Sequence, residues 1–140
     1  ALKTVDIKGL AYYTLGKKRK EISPEELKKY EELFEKYFLK SFTSRLTDYS
    51  DPKINVVSAE IINEKYTIVK TILIKTSKKP EVKIDWRVYT KDPNNPLIRD
   101  LIVEGLSLAR TQKEEFASIL SSNNNDINAL FLSLKNFVNK

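Results

Sequence analysis

Apolar residues in the first third of the chain recur at the spacing of one buried helix face. Ser23 can cap such a helix, Pro24 suits its first position, and Glu26 completes a capping box. We therefore predict a long helix from Pro24 to about Thr47. Its buried stripe comprises Leu27, Tyr30, Leu33, Phe34, Tyr37, Phe38, Phe42 and Leu46.

Four later stretches carry the apolar runs and flanking turn residues that are typical of β-strands. In the third stretch apolar and polar residues alternate, which predicts one covered face and one wet face. The second is apolar on both faces and should be central or lie where the sheet curls. Short, turn-rich links predict an antiparallel meander. The predicted strands are Ile54–Ile62, Tyr66–Thr76, Val82–Thr90 and Leu97–Val103.

Three further helices complete the pattern. Val5–Leu15 predicts a short helix that Gly16 ends. After the last strand, Gly105 should permit a sharp turn, and Ser107 should cap a helix whose stripe is Leu108, Ala109, Gln112, Phe116, Ile119 and Leu120. Asp126 should cap the final helix, which carries Ile127, Leu130, Phe131, Leu134, Phe137 and Val138. The predicted fold class is α+β, a curved four-stranded antiparallel sheet packed with helices.

Size and composition are those of one ordinary globular domain spanning residues 1–140. The chain is 41% hydrophobic and 31% charged, and we find neither an internal repeat nor a second domain. No apolar run approaches the ~20 residues that a membrane span needs.

Missing residue types exclude several kinds of chemistry. Without histidine or cysteine, the chain cannot build Ser-His-Asp or Cys-His nucleophiles, or zinc sites on those ligands. We expect no metal, no cofactor and no enzyme activity. The enzyme alternative that stays open is a lone carboxylate acting as a general base in an apolar cone. Asp85 should point to solvent, whereas the alternation leaves the sides of Asp100 and Glu104 open.

A dense cationic run follows the first predicted helix, within a chain of net charge +6. The run consists of Lys17, Lys18, Arg19 and Lys20. Cations at a helix C-terminus are favourable by themselves, so the run has a sufficient structural reason. The alternative is a docking surface for an anionic membrane or an acidic partner. We expect no nucleic-acid binding, because most other cations alternate with glutamates that would repel a phosphate backbone.

Three stretches resemble, in order and spacing, the MlaC family of periplasmic phospholipid-carrying proteins, also called toluene-tolerance auxiliary components. The first is Leu15-Gly16 followed by Ile22-Ser23-Pro24, and the second is Phe38–Ser50 with Arg45, Leu46 and Tyr49-Ser50. The third is Arg99-Asp100 and Val103–Leu108 followed by Phe116-Ala117. The resemblance covers most of residues 6–138, and it implies that part of the family's N-terminal region is missing here.

Periodicity alone does not distinguish a filled interior from a hollow one, and an apolar stripe is usually core. The resemblance implies an NTF2-like cone with helical additions, enclosing an apolar cavity for phospholipid acyl chains. The expected lipid-binding residues are Phe34, Tyr37, Phe38, Leu73, Ile84, Trp86, Val103, Leu106, Phe116 and Phe131.

The resemblance also implies a biological role. It predicts a soluble periplasmic carrier that shuttles phospholipid between the outer and inner membranes for an ABC transport system, through transient peripheral membrane contact. The implied partners are the MCE-domain subunit of an inner-membrane ABC transporter and an outer-membrane lipoprotein complex. Two other hypotheses stay open: an NTF2-like cone enzyme acting on a small apolar substrate, and a basic interaction module with no ligand.

Overall fold

The computed structural model describes residues 4–44 and 52–140, which form two compact units. The sheet unit contains described residues 4–6 and 52–108. The helical unit contains described residues 7–44 and 109–140. The single domain expected from the sequence stays a prediction.

The sheet unit is an antiparallel meander in which each strand pairs with the next along the chain. The predicted α+β class and antiparallel order are therefore confirmed. Register shifts between Val56 and Ser58 and between Arg87 and Val88 mark irregularities that bend and twist strands. The strands are β1 (Ile54–Ile61), β2 (Tyr66–Leu73), β3 (Val82–Tyr89), β4 (Leu97–Val103) and β5 (Leu106–Ser107).

The prediction of four strands was wrong by one short strand. Glu104 and Gly105 both have positive φ, 49° and 84°, as the two central residues of a tight hairpin turn require. The chain therefore doubles back, and Ser107 pairs with Ile102 of β4 before the next helix begins. Ser107 is thus the last residue of β5 and directly precedes the next helix, and its hydroxyl donates to the Asp100 carboxylate.

The helical unit follows the sequence signals closely. Ser23 Oγ accepts from the Glu26 backbone N–H at 3.1 Å, and Glu26 Oε1 accepts from the Ser23 N–H at 3.0 Å, so the capping box forms. Asp126 caps the last helix through the Asn128 N–H, as expected. The helices are α1 (Ile7–Leu15), a 3₁₀ helix (Gly16–Lys20), α2 (Pro24–Ser44), α3 (Leu108–Ser122, with Leu108 in the sheet unit) and α4 (Ile127–Val138).

The start of the first helix differs from the prediction made from the sequence. The first helix begins at Ile7 rather than Val5, because Val5 forms an isolated bridge to Ile98 of β4. The predicted end of the long helix near Thr47 lies outside the described residues. None of the described helices is long and apolar enough to cross a membrane.

Aromatic side chains fill the core of the helical unit. Tyr30 and Phe34 are fully buried, and their ring centroids are 5.9 Å apart. The ring of Phe116 in α3 makes T-shaped contacts with Tyr30 and Tyr37, with centroid distances of 6.5 Å and 5.4 Å. Phe38 continues the row, 6.0 Å from Phe34. These contacts join α2 to α3 through interlocked rings.

Candidate functional site

One face of the sheet is almost entirely apolar. Successive side chains of a strand point to opposite faces, so the observed register assigns each residue to a side. The strand pairs place only aliphatic residues, threonines and one tryptophan on this apolar face. Its members are Ile54, Val56, Ala59, Ile61, Thr67, Val69, Thr71, Leu73, Val82, Ile84, Trp86, Val88, Ile98, Leu101 and Val103.

The apolar face contains an open groove with a volume of about 330 Å³. The groove crosses the first four strands, and its walls are almost wholly apolar. The lining residues are Ile54, Val56, Val69, Thr71, Trp86, Val88 and Ile98. We call this feature the sheet groove.

The polar atoms in the sheet groove are paired with one another. Thr71 Oγ1 donates to the Ile84 carbonyl oxygen at 2.6 Å and accepts from Trp86 Nε1 at 2.9 Å. A hydroxyl has one proton, so the Thr71 proton is already committed. The hydrogen bond from Trp86 Nε1 also fixes the indole ring in one orientation. The groove therefore offers aliphatic and aromatic surface rather than hydrogen-bonding groups.

The outer wall of the groove remains open to solvent. Every residue of β1 is exposed, including the groove residues Ile54 (43% exposed) and Val56 (63%). Ile61, further along the same face, is 78% exposed. In soluble proteins generally, contiguous exposed apolar surface marks a ligand groove or an interaction surface.

The opposite face of the sheet carries a cluster of charged and aromatic groups. Arg99 donates from Nε to Asp6 at 2.8 Å and from its terminal nitrogen to the Tyr66 hydroxyl at 2.9 Å. Its guanidinium also lies 4.0 Å from the centroid of Tyr89, and that of Arg87 lies 4.0 Å from Tyr66. Burial opposes the charge, but the bonds to Tyr66 and Asp6 raise the pKa of Arg99 overall. These charged groups therefore lie on the face opposite the sheet groove.

Five of the expected lipid-binding residues belong to the sheet unit. Leu73, Ile84, Trp86 and Val103 all lie on the apolar face, and Trp86 lines the sheet groove. Leu106 of β5 lies directly opposite Val103 and is 71% exposed.

Six further residues line the sheet groove, although the sequence analysis did not name them as lipid-binding residues. They are Ile54, Val56, Val69, Thr71, Val88 and Ile98. Alternation divides the residues of each strand between two faces. Only the pairing register shows which faces of neighbouring strands lie on the same side of the sheet.

The other five expected residues belong to the helical unit. Phe34, Phe38, Phe116 and Phe131 are buried, and Tyr37 is half-buried. Phe34 contacts Phe38, and Tyr37 contacts both Phe116 and Phe137, with a ring distance of 4.8 Å to the latter. Phe131 lies against the Lys29 ammonium, 4.9 Å from the ring centroid.

The three carboxylates considered as general bases lie away from the sheet groove. Asp85 pairs with Ile102, and Asp100 pairs with Arg87, so both belong to the face opposite the groove. Asp100 also accepts from the Leu101 N–H at 2.8 Å. Glu104 sits in the hairpin turn and accepts from the Lys83 N–H at 3.0 Å. Across residues 4–44 and 52–140, no cluster of three acidic side chains could hold a metal ion.

The basic run forms the 3₁₀ helix after α1 and borders a second groove of about 520 Å³. Gly16 leads into the run with φ +58°, as its predicted capping role requires. Lys18 donates to the Asn125 carbonyl oxygen at 2.5 Å, whereas Lys17, Arg19 and Lys20 are exposed. Three of the four cations therefore face solvent.

Comparisons with known proteins agree with this fold. Residues 1–136 match the profile of the family described as "MlaC protein". A phospholipid-binding protein from Ralstonia solanacearum, solved in complex with a phospholipid, superposes with a TM-score of 0.78 over 96% of this chain and 74% of that chain. The two sequences are 19% identical, so this likeness shows the fold alone. No curated protein sequence matches the chain.

Proposed function

Because the chain belongs to the MlaC family, we propose that it is a soluble periplasmic carrier that binds phospholipid and shuttles it between the outer and inner membranes. The main observation in support of this proposal is the sheet groove, an open apolar surface whose side-chain polar atoms are hydrogen-bonded within the protein. The phospholipid complex of the Ralstonia solanacearum protein supports the choice of ligand. In this proposal the protein performs no covalent chemistry.

The energetics of such a site are simple. Each methylene that leaves water contributes about 0.8 kcal/mol, so acyl chains bind strongly to an apolar surface without any hydrogen bond. The exposed β1 wall leaves the groove accessible from solvent, which lipid exchange requires. Binding of this kind recognises chains more than headgroups.

We propose two sets of lipid-contacting residues. In the sheet unit they are Leu73, Ile84, Trp86, Val103 and Leu106, extended by the groove residues Ile54, Val56, Val69, Val88 and Ile98. In the helical unit they are Phe34, Tyr37, Phe38, Phe116 and Phe131, which form the core of that unit and, in this proposal, also border the bound acyl chains.

We further propose that Lys17, Lys18, Arg19 and Lys20 form a docking surface for the partners of the carrier. Those partners are the MCE-domain subunit of an inner-membrane ABC transporter and an outer-membrane lipoprotein complex. The exposure of three of these cations supports the proposal, since exposed cations can steer the protein toward acidic partners and anionic membrane surfaces.

Mass spectrometry of a solvent extract of the purified protein tests the ligand. We expect diacyl phospholipid at up to stoichiometric amounts. A small metabolite in its place would favour the cone enzyme. An empty protein that also fails to take lipid from vesicles would leave the interaction module as the remaining hypothesis.

Reversal of the four charges to glutamate tests the docking surface. We expect slower transfer to membranes and to the transporter subunit, with unchanged lipid occupancy, because the sheet groove is untouched. A matched control reverses four exposed lysines elsewhere: Lys28, Lys36, Lys75 and Lys78. Since Lys18 also bonds Asn125, a triple variant that spares Lys18 separates docking from local structure. Loss of lipid with normal transfer would contradict the proposed docking role.

A further inference from the structure

The buried polar side chains of the described residues are Thr14, Ser41, Thr71 and Gln112. Two of them are tightly bonded. Thr14 donates to the Ala11 carbonyl at 2.8 Å, so the Tyr30 hydroxyl 2.6 Å away must donate to Thr14. Thr71 donates to a carbonyl oxygen and accepts from an indole N–H. The protons of these groups are therefore committed within the protein.

Gln112 differs from these residues. Its side chain is 2% exposed, and neither Nε2 nor Oε1 has a hydrogen-bond partner among the described residues. Burying an amide without a partner is unfavourable, and native proteins seldom do it. The residues one turn before and one turn after it, Leu108 and Phe116, are buried and apolar. An apolar residue would therefore suit this position better if the side chain only packed.

We propose that Gln112 donates a hydrogen bond from Nε2 to an ester carbonyl oxygen of the bound phospholipid. This inference rests on the proposed carrier function. The partner must be a group that enters the protein interior, because Gln112 is inaccessible from solvent. The ester carbonyls are the polar groups attached directly to the acyl chains, so they follow the chains into an apolar site. They accept hydrogen bonds and cannot donate them, which matches the amide N–H.

This assignment makes Gln112 a specificity residue for the linkage between chain and glycerol. An ether-linked lipid has the same chains and headgroup but lacks the carbonyl oxygens. An ether-linked lipid would therefore leave the Gln112 N–H unpaired inside the protein, just as it is when no lipid is bound. A protein that recognised only chains would treat the two lipids alike.

The experiment uses the full chain, stripped of lipid and incubated with vesicles of equal amounts of dioleoyl phosphatidylcholine and its di-O-oleyl ether analogue. The lipids that the protein carries away are counted by mass spectrometry. We expect the wild type to retain about threefold to tenfold more ester than ether lipid, the range that one hydrogen bond supplies. Equal uptake would overturn the inference while leaving the carrier function intact. Uptake of neither lipid would overturn both.

Gln112→Met supplies the decisive variant, because methionine has a similar length and no amide. We expect it to fold, to carry lipid and to lose the ester preference. Thr14→Val is the matched control in the helical unit: it removes a buried hydroxyl that is already bonded, so it should lower stability and keep the preference. A Gln112→Met protein that still prefers the ester would refute the assignment, and the wild-type ratio tests it even if a variant misfolds.

Discussion

The helical unit and the sheet unit both carry continuous apolar faces, but they use them differently. In the helical unit, Tyr30 and Phe34 are fully buried, and their rings interlock with neighbouring aromatics. In the sheet unit, the apolar face continues onto β1, where Val56 remains 63% exposed. The helical face is packed within its own unit, whereas the sheet face leaves apolar surface open to solvent. Equal hydrophobicity in sequence thus corresponds to one filled face and one open face.

The largest expected effect comes from the filled core. Phe34→Ala should lower the free energy of unfolding by about 3–5 kcal/mol, because it removes a fully buried ring and leaves a cavity. Val56→Ala, in the open groove, should change it by less than about 0.5 kcal/mol. Urea denaturation of both variants measures the contrast. Similar losses for the two variants would mean that the groove wall is also packed core.

The next effect concerns ligand binding. Val56→Asp places a charge in the wall of the sheet groove, where a bound acyl chain would have to desolvate it. We expect co-purifying lipid to fall about tenfold or more, with little loss of stability because the position is exposed. Ser58→Asp is the control, since it adds the same charge to β1 opposite Lys70, on the other face. Normal lipid load in Val56→Asp would show that the groove is not the chain-binding surface.

A smaller effect concerns the pH dependence of stability, which follows from the burial of Tyr30 in the helical unit. Burial raises the pKa of the Tyr30 phenol above its ordinary value of about 10. Because the folded-state pKa is raised, the associated stability is present below pH ~10 and falls as the unfolded chain ionises above it.

Tyr30→Phe tests this linkage. It should cost about 1 kcal/mol at pH 8 through the lost hydrogen bond. Above pH ~10 the difference from wild type should shrink by up to about 1.4 kcal/mol per pH unit. Urea denaturation at pH 8 and pH 11 supplies the comparison. A constant difference would mean that the phenol reaches water more easily than its burial indicates.

Much of the fold followed from the sequence, because local chemistry specifies local structure. The Ser23–Glu26 capping box marks the start of α2, and Asp126 marks the start of α4, and both caps form as the local residues predict. Short, turn-rich links constrain successive strands to pair in an antiparallel meander. The fifth strand was missed because a two-residue strand has no periodicity, and its turn needs positive φ at Glu104 as well as at Gly105.

The candidate site depended on tertiary structure. Alternation predicted that β3 has an apolar face, but the register decided that Ile54, Val69 and Ile98 share that face with Trp86. Long-range packing decided which apolar surface is filled and which is open, since an apolar periodicity in the sequence is compatible with either outcome. It also decided that Gln112, at a stripe position, is buried with no partner among the described residues. Sequence determines which faces are apolar, whereas only three-dimensional packing determines what lies against them.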